Sequence, residues 1–214
     1  MAHARSTTPL TVALFVATAL AIGGCASQLA PAPEAVHVPG RGDGALVEAG
    51  GVRIVARANA WRSTPRDLQF DVTPLLVSID NGSAAPLLVR YEHFWLDAPS
   101  GQRFAALAPY EITGTATELV PAAFVGRYLG PAWYPGFYDP YFYAPYVRRT
   151  VALPTSDMVQ KALPEAVIER GGRASGFVYF ERVHDVDRIT LRTELVNART
   201  GQRFGPVTIP FVVD

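Results

Sequence analysis

Cys25 is the residue whose chemistry is most informative, because it is the only cysteine of the chain. It cannot form an intramolecular disulfide bond, so a lone thiol in an exported protein needs another explanation. An uncharged apolar run over residues 10–22 precedes it, after a stretch whose single charge is Arg5. This run suits the hydrophobic region of a signal peptide and is shorter than the ~20 residues that span a bilayer.

The segment Ile22-Gly23-Gly24-Cys25 resembles the lipobox of bacterial lipoproteins. The resemblance implies cleavage after Gly24, a thioether between the Cys25 sulfur and diacylglycerol, and N-acylation, for example with palmitate. Two or three acyl chains would hold the chain stably on a membrane. Ala26 follows instead of Asp, which by resemblance to enterobacterial sorting favours the periplasmic face of the outer membrane. The alternatives are an uncleaved anchor, or ordinary secretion after cleavage near residues 19–21.

Histidines and carboxylates offer a few sites for acid–base or metal chemistry. Residues 184–187 read His-Asp-Val-Asp and could supply metal ligands. Residues 91–93 read Tyr-Glu-His and place His93 beside a carboxylate. The first segment is typical of a turn, and alternation along a strand predicts an ordinary surface position for His93. Asp80 and Asp97 are a possible carboxylate pair, but both end predicted strands, where Asp is a common turn residue. The usual hydrolase, phosphate-loop and dinucleotide motifs do not occur, so we predict no catalytic residue, metal ligand or cofactor.

Residues 121–149 form an aromatic, proline-rich segment that predicts a long loop, a length usually found in functional or disordered segments. Flat aromatic faces with polar tips suit contacts with a protein, a glycan or a lipid interface. Two alternatives are an extra wall of the core and low-complexity drift. The candidate interaction residues are Trp133, Tyr134, Phe137, Tyr138, Tyr141, Phe142 and Tyr143.

Composition limits the class of protein and its partners. The chain is 49% hydrophobic and 18% charged, which indicates a packed domain instead of global disorder. The formal net charge is +0 without a basic stripe, which argues against a nucleic-acid partner. We therefore divide the chain into a signal peptide (1–24), a flexible Ala/Pro/Gly-rich tether (25–50) and one folded domain (51–214).

Short apolar runs separated by turn residues predict an antiparallel, mainly β domain. One helix is expected over residues 156–163, capped by Asp157 with Gln160 in a capping box and stopped by Pro164. At least seven strands favour a two-sheet, Ig-like β-sandwich with one short helix and a long aromatic loop. The predicted strands cover residues 52–61, 75–80, 86–96, 102–107, 173–183, 188–197 and 207–213.

A short repeat supports two hairpins within this pattern. Residues 100–104 read Ser-Gly-Gln-Arg-Phe, and residues 200–204 read Thr-Gly-Gln-Arg-Phe. Glycine supplies the positive φ that such turns require, and the following Phe can point into the core. Two similar corners of one fold explain the repeat better than a duplicated binding loop.

Two motifs resemble Ig-like domains of uncharacterised bacterial lipoproteins. Residues 81–87 (NGSAAPL), followed by 94–97 (FWLD), resemble a strand–turn–strand of that family. Residues 171–180 (GGRASGFVYF) resemble its Pro-Gly-x-x-x-Gly strand, with Gly171 where Pro is common. The resemblance covers about residues 50–115 and 150–214. Its motifs specify the fold better than the function, and it supplies no catalytic residues to carry over.

Together these features predict a non-enzymatic envelope accessory protein or protein-interaction module. Its expected partners are the lipid bilayer, through acylated Cys25, and another envelope protein or peptidoglycan. The first alternative is a lipoprotein that binds cell-wall glycan through the aromatic segment. The second is an envelope hydrolase, which would need histidines and carboxylates to converge in one cleft.

Overall fold

A computed structural model describes residues 28–40, 43–121 and 146–213, and these residues are almost entirely β-structure. The α-helix α1 covers Ser156–Lys161, and 3-10 turns cover Leu68–Phe70, Tyr91–His93 and Pro109–Glu111. The strands are β1 Leu29–Pro31, β2 Val36–His37, β3 Gly44–Ala49, β4 Val52–Arg57, β5 Val72–Asn81, β6 Leu87–Val89, β7 Phe94–Asp97, β8 Arg103–Leu107, β9 Gly114–Pro121, β10 Tyr146–Leu153, β11 Ala166–Ile168, β12 Arg173–Glu181, β13 Arg188–Asn197 and β14 Arg203–Val213.

The main sheet is a nearly closed ten-strand barrel with antiparallel strand pairs, and the prediction of a two-sheet sandwich is therefore wrong. Its strand order is β1-β14-β13-β7-β8-β12-β5-β4-β3-β2, with β6 and β11 attached beside β13. The physical reason is strand β8. Ala105 pairs with Trp95 of β7 on one side, while Leu107 pairs with Tyr179 of β12 on the other. One strand thus joins the two layers that a sandwich would keep apart.

The predicted tether over residues 25–50 is wrong for the part that the structure describes. Strand β1 pairs with the last strand, with Leu29 opposite Val213, and β3 pairs with β4 along its whole length. Leu29 and Ala45 are buried in the main core. These residues form part of the barrel, so the folded domain begins within a few residues of Cys25.

Strand β12 explains why the sequence contains the run Phe177-Val178-Tyr179-Phe180. All four side chains are buried. Val178 and Phe180 belong to the main core, whereas Phe177 and Tyr179 belong to a second cluster with Trp61 and Met158. Since successive residues of a strand point to opposite faces, β12 is covered on both faces.

Helix α1 forms where the sequence predicts a helix, but its cap differs. Thr155 is the N-cap, and its Oγ1 accepts a hydrogen bond from Met158 N at 3.3 Å. The Asp157 cap is therefore wrong: its carboxylate accepts a hydrogen bond from Thr64 N at 3.1 Å. The helix ends at Lys161, where Ala162 adopts an extended ψ of 149°, and Pro164 follows two residues later.

Both predicted hairpins are confirmed, and their turns differ in length by one residue. Ala98 N donates to Gln102 O at 2.8 Å, and Asn197 N donates to Gln202 O at 2.9 Å. Gly101 and Gly201 adopt φ values of +87° and +69°. The repeat therefore marks two turns with the same chemistry, between β7 and β8 and between β13 and β14.

Candidate functional site

A two-stranded ribbon carries the ends of the aromatic segment. Strands β9 and β10 pair over their full length, from Gly114 opposite Leu153 to Pro121 opposite Tyr146. Within the described ranges the ribbon shares no ladder with the main sheet. The predicted loop boundaries are therefore corrected, since residue 121 and residues 146–149 are strand.

The candidate interaction residues lie in residues 122–145, outside the part that the structure describes, and so does Cys25. The ribbon nevertheless fixes where that segment leaves the fold and where it returns. Leu119 and Tyr146, near its outer end, are 52% and 58% exposed. Large apolar side chains at such exposure fit a surface used for contact.

The inner face of the ribbon is tied to the loop between β4 and β5. Ala116 and Glu118 are 1% and 3% exposed, while their neighbour Thr117 is exposed. A carboxylate oxygen of Glu118 accepts a hydrogen bond from Arg66 N at 3.1 Å. A buried carboxylate requires such a partner, so Glu118 fixes the ribbon against this loop.

Trp61, a residue of the same loop, belongs to a buried aromatic cluster. The Trp61 ring meets Phe177 edge-on at 5.0 Å between centroids and Tyr179 at 6.1 Å. The Trp61 Nε1–H donates to Pro65 O at 2.6 Å, and the Tyr179 hydroxyl donates to Met158 O at 2.9 Å. Burial raises the pKa of Tyr179 well above its usual value, so the hydroxyl remains a hydrogen-bond donor.

An open groove of about 520 Å³ lies between the 3-10 turn at Tyr91 and strand β11. The Tyr91 hydroxyl donates to Leu163 O at 2.6 Å, and its backbone N–H donates to Glu165 Oε1 at 2.9 Å. Burial, with Glu165 and Tyr110 nearby, raises the pKa of Tyr91 to about 12. Tyr91 therefore keeps its proton at neutral pH and acts as a structural donor instead of a general base.

The histidines considered in the sequence do not converge in this fold. His93 is 8% exposed, so the surface position predicted for it is wrong. The 3-10 turn at residues 91–93 interrupts the strand, and both His93 and Phe94 become buried. Within the described residues His93 Nδ1 has no hydrogen-bond partner, whereas His184 is exposed and its Nδ1 lies 2.9 Å from Arg182 O.

The two candidate carboxylates belong to separate ion pairs. Asp80 forms an ion pair with Arg173. Asp97 forms ion pairs with Arg103 and Arg192, both at 2.9 Å. Burial acts to raise the pKa of Asp97, but hydrogen bonds from Arg103 and Trp95 outweigh it and lower that pKa. Both aspartates thus form ion pairs with arginines of neighbouring strands, which is a structural role.

In the described ranges, no group of three or more His, Cys, Asp or Glu side chains is placed to hold a metal ion. None of the helices in those ranges has the length and apolar character needed to cross a membrane.

No family model, curated protein or solved structure matches the chain. The resemblance to Ig-like bacterial lipoproteins therefore stays a prediction.

Proposed function

We propose that this protein is a lipid-anchored component of the bacterial cell envelope, acylated at Cys25, that acts as a non-enzymatic interaction module. Its place would be the periplasmic face of the outer membrane. The lipobox-like segment before Cys25 supports the anchor. The β9–β10 ribbon supports the second part of the proposal.

The ribbon is the observation that carries the interaction role. It brings Pro121 and Tyr146 opposite each other, so the aromatic segment leaves and returns at one point of the surface. A ribbon whose outer end is exposed is a suitable base for a contact segment. Tyr and Trp are enriched among the residues that contribute most to protein interfaces, and the segment between these two residues contains five tyrosines and one tryptophan.

The short link to Cys25 limits where contacts would occur. Gln28 is the first described residue, three positions after Cys25. An extended chain covers at most ~3.6 Å per residue, so their Cα atoms lie within about 11 Å. An acylated Cys25 would hold the barrel close against the membrane, and a partner would be met at that surface.

Replacing residues 122–145 with Asn-Gly tests the interaction role. Pro121 and Tyr146 are register partners, and a two-residue Asn-Gly turn joins such a pair in a β-hairpin. We expect the free energy of unfolding in urea to stay within about 0.5 kcal/mol of the parent value, since the replacement leaves every described core residue unchanged. We expect the envelope proteins cross-linked to the chain in cells to be lost.

The matched control is Tyr110→Ser, which removes a tyrosine that is 72% exposed in a different part of the fold. It should leave the cross-linked partners unchanged. Co-sedimentation with isolated peptidoglycan separates the alternatives, because loss of sedimentation in the Asn-Gly variant would favour the glycan-binding function. Identical cross-linking by parent and Asn-Gly variant would remove the aromatic segment from the proposal.

A further inference from the structure

A second cavity lies where the chain emerges toward Cys25. Its volume is about 240 Å³, and the first described residues form part of its wall. Asn59 holds β1 there, because its side-chain N–H donates to Leu29 O at 2.9 Å. The lining residues are Gln28, Leu29, Asn59, Trp61, Arg62 and Arg66, with Gln69, Thr73 and Pro74.

Among the described residues of this lining, the only charged side chains are those of two arginines. Arg62 and Arg66 are both exposed, and in the described ranges neither guanidinium forms an ion pair with a carboxylate. Arg62 donates one hydrogen bond to Trp61 O at 2.6 Å, which leaves its other N–H groups available. Asp67 and Asp71 belong to the same loop but contribute nothing to the lining.

An exposed aromatic residue follows one of the lining residues in the chain. Phe70 directly follows Gln69 in the same 3-10 turn and is 41% exposed. Arginines next to an exposed apolar side chain are the combination that binds an anionic membrane surface, where guanidinium groups pair with phosphates and the ring enters the headgroup layer.

We propose that the surface around Arg62, Arg66 and Phe70 rests on the phospholipid headgroups when Cys25 is acylated. The proposal relies on the lipid anchor of the proposed function and adds the orientation of the barrel. Gln28 forms part of the cavity wall, and Cys25 lies three residues before it. A chain of that length, at most about 11 Å, keeps the two arginines within reach of the headgroups.

The opposite end of the barrel provides an internal reference. Leu29 pairs with Val213, at the end of β14, while the turn at Thr200 lies just before the start of β14 at Arg203. At about 3.3 Å per residue, this strand separates the two ends by roughly 30 Å. An orientation set by the arginines therefore places residue 69 at the membrane and residue 200 away from it.

The experiment uses the acylated, full-length mature protein in phosphatidylcholine vesicles with and without phosphatidylglycerol. Acylation consumes the only native thiol, so Gln69→Cys or Thr200→Cys provides the single site for a fluorophore. Lipids with a nitroxide on the headgroup report proximity through quenching. We expect quenching about threefold greater at residue 69 than at residue 200, and greater with phosphatidylglycerol present.

The double variant Arg62→Gln/Arg66→Gln should reduce the difference in quenching between residues 69 and 200 by about half or more. Each arginine near an anionic surface contributes roughly fivefold to binding. Arg199→Gln/Arg203→Gln removes the same charge at the opposite end and should leave the difference unchanged. Equal quenching at both positions, or no response to the first pair, would overturn the proposed orientation. The intact mass of the same sample shows whether Cys25 is acylated, so a failed anchor, which would end both proposals, is distinguished from a wrong orientation.

Discussion

Gly176→Ala is expected to destabilise the protein by about 3 kcal/mol or more, at the upper end of what overpacking costs. A Cβ at this position would lie 2.5 Å from both the carbonyl carbon and the oxygen of Ala162, and would also collide with Leu163 N. All three are backbone atoms, which cannot rotate away. The contact exists because Leu163 N donates to Phe177 O at 2.8 Å, drawing the chain after α1 onto β12.

Urea unfolding of the full chain measures this effect, and Gly101→Ala is the informative comparison. Gly101 has a φ of +87° but open space around its Cβ, so alanine there should cost only about 1 kcal/mol of backbone strain. The larger loss is thus expected at the glycine with ordinary backbone angles. Similar losses for the two variants would show that the chain after α1 does not press on β12 as described.

Asn81→Ala is expected to cost about 2–4 kcal/mol, because it leaves buried polar groups without partners. Asn81 is 1% exposed, and its side-chain amide donates to Ala85 O at 2.9 Å and to Ile168 O at 2.8 Å. Its Oδ1 accepts hydrogen bonds from the backbone N–H and the hydroxyl of Ser83. One side chain thus joins the end of β5, the turn that follows it, and β11.

Asn81→Asp and Ser83→Ala separate the two halves of this network. Aspartate can still accept from Ser83, but it cannot donate, and it sets a negative charge against two carbonyl oxygens. We expect Asn81→Asp to be at least as destabilising as Asn81→Ala, and Ser83→Ala to cost about 1 kcal/mol in urea unfolding. A well-tolerated Asn81→Asp would show that the turn alone, and not the link to Ile168, stabilises this junction.

Local patterns were sufficient to predict both hairpins and the strands from β4 to β8 and from β12 to β14, with β6 and β7 expected as one strand. They did not predict the six strands β1, β2, β3, β9, β10 and β11. The turns before Phe104 and Phe204 are determined by their local sequence, because glycine allows a positive φ and the strands on either side are neighbours in sequence. The closure of the sheet was not predictable in this way. It depends on β8 pairing with β12, more than seventy residues later, and no local property of β8 specifies that partner.

The residues before β4 show the same limit. Their Ala/Pro/Gly composition indicates a flexible tether, yet Leu29 and Ala45 are buried, because β1 adds to the last strand of the sheet and β3 pairs with β4. The burial of His93 was also missed, since a single 3-10 turn removes the alternation on which the surface assignment depended.

Some candidate sites were predictable from the sequence, and others depend on tertiary contacts. The sequence singled out Cys25 and the aromatic segment through composition and spacing alone. It gave no sign of the groove at Tyr91, which depends on a hydrogen bond to Glu165 across 74 positions. It also gave no sign of the cavity with Arg62 and Arg66, whose meaning depends on how close β1 brings them to Cys25.

The intact mass of the mature protein, extracted from envelopes with detergent, tests the lipid anchor most directly. We predict a chain that begins at Cys25 and carries a diacylglyceryl thioether with an acyl group on its amine. We also predict that this chain does not react with iodoacetamide. A chain that begins at another residue, or one whose cysteine is alkylated by iodoacetamide, would contradict the account.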